Sequence, residues 1–167
     1  MEAQTGGTAA QRKQVMNIIW GAMVMAVAIY WYVHLIAGRK EPNSSVGLMI
    51  TILAVISVGE CIGSWIFNRI TLADVSQKIS RAQLGGSPSH ADDSLEQRLQ
   101  STAVICLAMF EAVVVYGLVG SFVGSPYPNT FEGFAVVGLL NLVMYRIKAY
   151  PTIFGLLEQL ETLRRVK

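Results

Sequence analysis

The chain has 167 residues, 53% of them hydrophobic and 14% charged, with a formal net charge of +2. That charge content is low for a soluble domain of this size, and no basic run of the kind that grips nucleic acid is present. One compact, all-α unit in a lipid bilayer is expected, a four-transmembrane-helix bundle.

Residues 1–14 are expected to form a flexible N-terminus, ending on Arg12 and Lys13. The first apolar span is expected over 15–37. It is too long for a signal-peptide core and no small-residue cleavage site follows, so it reads as a retained anchor. Tyr30-Trp31-Tyr32 at its far end has the composition of an interfacial aromatic belt. His34, just beyond, reads as interfacial. Pro42 and Asn43 mark a short turn over 38–45.

The second span is expected over 46–67 and contains Glu60. Gly59 and Gly63 form a small-xxx-small pair, which predicts close helix packing and turns Glu60 into the bundle. Residues 68–101 are expected to be a cytoplasmic helical loop. Leu72, Val75, Ile79 and Ala82 recur at helical spacing, so the second helix should continue towards Leu84. Gly85 to Ser89 is a break, and Ser94 to Gln97 reads as a capping box that opens the third helix. A solvated connector is favoured for this loop over a helical hairpin that docks a partner.

The third span, expected over 102–124, carries Glu111 near its middle. An ionised carboxylate at that depth is costly, so the group should be neutral, paired or turned to a polar cavity. Gly117, Gly120 and Gly124 form a packing stripe roughly opposite Glu111. The fourth span, over 131–147, carries Asn141 near its centre. Pro151 is expected to interrupt the helix and leave 150–167 as a short amphipathic C-terminal segment, lying on the membrane surface or packed on the central loop. Cys61 and Cys106 fall inside apolar segments and read as small packing residues. No metal-ligand cluster, phosphate loop or serine nucleophile motif stands out, so neither a metal, a cofactor nor an enzymatic activity is expected.

Four spans place both termini and the central loop on one side. Eleven lysines and arginines fall on that side, against Arg39 and Lys40 on the other. Both termini should therefore be cytoplasmic, in a bacterial-type inner membrane. Measured from the span centres, Glu60, Glu111 and Asn141 share one depth. Adjacent helices could bring them together, and two carboxyls in an apolar setting would share a proton. The plainer alternative is interhelical glue, with each Glu hydrogen-bonded to hold the bundle in register.

The stretch Phe110-Glu111-Ala112-Val113-Val114-Val115-Tyr116-Gly117-Leu118-Val119 resembles the ion-carrying second helix of F-type ATP synthase subunit c. The lead-in Arg98-Leu99-Gln100-Ser101-Thr102 is similar too. The resemblance implies that Glu111 carries a proton and that Tyr116 is its neighbour. Ala112 stands where sodium-binding relatives have a hydroxyl residue, which implies a proton rather than sodium. The likeness covers the third helix; the first two spans lack the family's dense glycine repeat, and a fourth helix follows. As a whole the chain resembles a group of small bacterial four-helix membrane proteins with this same c-like third helix.

The function these readings point to is proton binding or relay by Glu111, Glu60, Tyr116 and Asn141 within a homo-oligomer or larger membrane complex. The alternative is a non-catalytic structural subunit. The charge asymmetry makes a direct prediction: a reporter fused after Lys167 reads cytoplasmic and one inserted near Asn43 reads external. The opposite pattern would reverse the orientation of every helix.

Overall fold

The computed structural model of the chain describes residues 9–37, 41–83, 91–127 and 129–165. Four helices carry the fold: α1 (Ala9–Ala37), α2 (Gly47–Gln83), α3 (Ala91–Phe122) and α4 (Thr130–Arg165), with a 3-10 turn at Ser44–Val46 before α2. All four are long and apolar enough to cross a membrane. They run up and down, so α1 lies parallel to α3 and α2 parallel to α4. Among the described residues there is no strand.

Helix length explains how the unit is divided. The helices have 29 to 37 residues, or about 44 to 55 Å at 1.5 Å per residue. A bilayer's hydrocarbon core takes only about 30 Å. The surplus lies at the end that carries both termini, where α2, α3 and α4 continue past their apolar stretches. There Val75, Ile79, Leu99, Leu157 and Leu160 are buried in the common core. Ion pairs fix the ends of the same region: Arg12 with Glu96, Lys13 with Glu158, and Asp74 with both Lys78 and Arg98.

Two expectations about this region are corrected. Ser94 lies inside α3, which is helical from Ala91, so Ser94 to Gln97 does not open the helix. Nor does Pro151 interrupt α4, which among the described residues runs through it as one helix to Arg165. A proline in a helix interior costs about 3 kcal/mol. Its neighbours offset that. Tyr150 and Ile153 are fully buried, and so, one and two turns on, are Leu157 and Leu160. Each contributes about 1.5–3 kcal/mol on leaving water.

Helix α3 is the axle of the bundle. It touches each of the other three, most extensively α4. Two glycines make that contact close. A Cβ on Gly138 of α4 would stand 2.4 Å from Val114 Cγ2 and 2.8 Å from the Phe110 carbonyl oxygen. A Cβ on Gly117 of α3 would stand 2.5 Å from Phe134 Cβ. Gly120 is similarly confined, 2.9 Å from Ile50 Cδ1. Gly117, Gly120 and Gly138 thus all sit at close contacts between helices.

Gly59, Gly63 and Gly124 are corrections. A Cβ on Gly59 or Gly63 would meet nothing within 4 Å, so this pair packs no helix of its own chain. Gly124 lies beyond α3, with φ +82. It closes the helix in a left-handed turn in which the Ser125 amide returns to the Gly120 carbonyl at 3.0 Å. A side chain there would also run into the Glu41 carbonyl oxygen, 2.5 Å away.

This contrast is testable. Gly138→Ala should push α3 and α4 apart and destabilise the folded protein by about 1–3 kcal/mol. Gly59→Ala should be neutral or slightly stabilising, since helical Ala is favoured over Gly by about 0.5–1 kcal/mol. Thermal unfolding in mild detergent compares the two. Equal effects would remove the glycine contact from its central place.

Candidate proton site

The helical wheel of α3 decides which neighbour each polar group meets. Glu111 and Tyr116 are five residues apart, about 140° around the helix. They therefore face different helices. Glu111 turns to α1, where the Tyr30 hydroxyl donates to its Oε1 at 2.9 Å. Tyr116 turns to α2 and donates to Glu60 Oε1 at 2.8 Å. Tyr116 reaches Glu60 by leaning back towards the start of its helix, as long helical side chains do.

Contacts of Ser64 set the register of α2 on α3. Its hydroxyl meets Met109 Sδ at 3.2 Å, and its carbonyl accepts from Cys106 Sγ at 3.4 Å. In antiparallel helices that register places Glu60 level with Glu111, as the sequence predicts. The face of α3 that meets α2 holds Cys106, Met109 and Tyr116, roughly opposite Glu111. The two carboxyls thus stand at one depth on opposite flanks of α3. They form two carboxyl–tyrosine pairs and not one shared site.

Glu60 has a further feature. Its Oε2 is buried and has no hydrogen-bond partner among the described residues. A buried polar atom left this way costs about 1–3 kcal/mol. It is the unused valence of the site, a place for a proton or a further donor.

Asn141 is elsewhere. Its Oδ1 accepts from Trp65 Nε1 at 3.0 Å, and its Nδ2 donates to the Val137 carbonyl at 2.9 Å. One turn on, Tyr145 donates to Asn68 Oδ1 at 2.9 Å. Asn141 belongs to this α2–α4 seam and touches neither carboxyl. The resemblance-based pairing of Tyr116 with Glu111 is corrected in the same way, since its hydroxyl is on Glu60.

Tyr30 is the carboxyl partner that the sequence reading does not single out. It stands in an aromatic triplet at the end of an apolar run, and only Trp31 and Tyr32 keep the exposed, belt-like position. The available signal is helical phase, because Tyr30 falls on the same face as Val27 and His34, both buried. His34 is likewise no surface histidine. It is 6% exposed, its Nδ1 lies 3.0 Å from Ser121 Oγ, and its Nε2 lies 3.7 Å from Glu132 Oε1.

Among the described residues no group of three or more His, Cys, Asp or Glu side chains is placed to hold a metal ion. Cys61 and Cys106 are free thiols. Comparisons with protein-family models, curated proteins and solved structures found no match.

Separate pairs predict a specific pattern of coupling. Glu111→Gln combined with Tyr30→Phe, and Glu60→Gln combined with Tyr116→Phe, should each be non-additive in stability by about 0.5–3 kcal/mol. The crossed combination of Glu111→Gln with Glu60→Gln should be additive within about 0.5 kcal/mol. Strong coupling between the two glutamates in a double-mutant cycle would instead join them in one site.

Proposed function

We propose that this protein binds and relays protons within a bacterial-type inner membrane, with both termini cytoplasmic and Glu111 as the principal carrier. The single observation that supports this most is the Tyr30–Glu111 pair: a carboxyl at mid-span with a hydroxyl donor on its Oε1. Intramembrane carboxyls are costly to keep and usually functional. A tyrosine hydroxyl donates to an ionised carboxylate, and its oxygen can accept from a neutral acid. The pair therefore accommodates both protonation states with little movement.

Glu60 and Tyr116 are the second pair. The unsatisfied Glu60 Oε2 gives it room for one more hydrogen. The likeness of the Glu111 segment to the ion-carrying helix of subunit c points the same way. The working form is an oligomer or a larger membrane complex. The Gly59 and Gly63 face, open in one chain, is available to a neighbouring subunit.

The second reading, a structural subunit, is favoured by Asn141, whose Oδ1 accepts from Trp65 across the α2–α4 seam while its Nδ2 donates to the Val137 carbonyl within α4. Such a group holds helices together and has no proton to exchange.

A hydrophobic carbodiimide separates the readings, because it enters the bilayer and reacts with protonated carboxyls. Glu111 should be labelled, most strongly at low pH, and the label should be absent in Glu111→Gln. That substitution keeps shape and hydrogen-bonding capacity and removes only ionisation. It should leave the protein folded and inserted, and abolish proton-coupled activity of the assembly that holds it. Full activity in Glu111→Gln, or no labelling of Glu111 at any pH, would leave the structural reading standing.

A further inference from the structure

The turn end of the bundle holds a second cluster of ionisable groups that the two carboxyl–tyrosine pairs do not use. His34 from α1, Ser121 from the end of α3 and Glu132 from the first turn of α4 converge there. Phe131 stacks on the imidazole with ring centroids 4.5 Å apart and holds it in place. A cavity of about 210 Å³ opens onto all three, with the exposed Tyr127 on its wall. Ser125 and Thr130 hydroxyls, 2.6 Å apart, add polar lining.

The placement of this cluster is the argument. Three polar side chains are drawn in at a helix end where apolar packing would cost less. His34 is nearly fully buried, yet its ring nitrogens face a hydroxyl on one side and a carboxyl on the other. Tyr30, the partner of Glu111, lies one turn below His34 on the same face of α1, about 6 Å along the axis. Ser121 and Glu111 both belong to α3, parallel to α1. Cavity, imidazole, tyrosine and carboxyl thus follow one seam from the turn end to mid-span.

We propose that this cavity is the port through which protons from the water at the turn end reach Glu111, with Glu132 and His34 as its acid–base pair. The inference rests on the proton-binding reading of Glu111 and adds to it the side from which the proton comes. Glu132 takes a proton from water in the cavity and passes it to one nitrogen of His34, and the other nitrogen releases one. Water in the seam carries the proton the rest of the way; Ser121, which meets the imidazole, stands about 15 Å from Glu111 along α3. It arrives on the Tyr30 oxygen as the Tyr30 hydrogen moves to Glu111 Oε1. One proton enters, one is held by Glu111, and every intermediate group ends with the hydrogens it began with. Among the described residues, the titratable groups facing His34 are Glu132 from α4 and, farther out on the cavity wall, Tyr127. Glu41 is exposed on the turn across the mouth, its carbonyl against Gly124.

The test uses the full-length protein in liposomes sorted for one orientation by a C-terminal tag, with the two sides buffered independently. Carbodiimide labelling of Glu111 is read by mass spectrometry. In the parent protein, raising the pH on the turn side alone should suppress labelling, and raising it on the termini side alone should not. His34→Gln and Glu132→Gln should each lose this turn-side control while Glu111 remains reactive to the reagent when both sides are acidified. Glu132 is only partly buried, so its variant guards against loss of fold at the buried His34. The port is overturned if labelling follows the termini-side pH in the parent protein, or if both variants keep full turn-side control. Absence of labelling in the parent protein under all conditions removes the proton-binding reading itself, and the port with it.

Discussion

The close approach of α3 and α4 is the contact on which the rest of the bundle depends. Between helices surrounded by lipid there is no hydrophobic drive, so association rests on dispersion and interhelical hydrogen bonds, and backbones must come near. Gly138 brings α4 onto the Phe110 carbonyl and Val114, and Gly117 brings α3 onto Phe134. Once that face of α3 is taken, its rotation is set. Glu111 is delivered to α1 and Tyr116 to α2, and neither could change partner without lifting α3 from α4. The separation of the two carboxyls is thus a consequence of glycine placement and not of their own chemistry.

At the other end the physics changes. Where the helices outrun the bilayer they meet water, and apolar burial again contributes free energy. This is why the termini-bearing end has a core of Val75, Ile79, Leu99, Leu157 and Leu160, enough to carry α4 through Pro151. Arg146 lies over the rings of Trp20, Tyr150 and Phe154, and the Tyr150 hydroxyl donates to the Met16 carbonyl at 3.0 Å. These contacts, with the Trp20 indole donating to the Leu142 carbonyl at 3.1 Å, clamp α1 onto α4. The extension therefore holds in register the helices whose mid-span faces carry the carboxyls.

What was legible in the sequence follows from what each signal measures. Hydropathy and rise per residue are one-dimensional, so the four spans and the common depth of Glu60 and Glu111 could be read directly. Helix rotation is set by packing, and partners depend on it. Tyr30 and Tyr32 look alike at the end of an apolar run, yet one is bonded to Glu111 and the other is exposed. Gly59 and Gly63 satisfy the same small-residue pattern as any close-packing pair, but that pattern permits approach without requiring it. Gly138, with no glycine four residues away, makes the closest approach recorded at any described glycine. Pro151 does not break α4 because its local cost, visible in sequence, is offset by burial that is tertiary.

The two roles open to intramembrane polar groups, holding helices and exchanging protons, can be separated here side chain by side chain. Asn141 uses its acceptor on Trp65 and a donor on the Val137 carbonyl, and neither partner titrates within the physiological range. It can only hold. Glu60 presents one oxygen to Tyr116, and its other oxygen is buried with no hydrogen-bond partner among the described residues. A group kept solely to bind helices would be better served by an amide, which adds two donors and carries no ionisation to suppress. Glu stands at both mid-span positions, each beside a hydroxyl that suits either protonation state, and the proposed proton exchange rests on that pattern. The same reasoning applies to His34, where a residue able to take and release protons at two separate nitrogens lies between a hydroxyl and a carboxyl at the mouth of the α1–α3 seam.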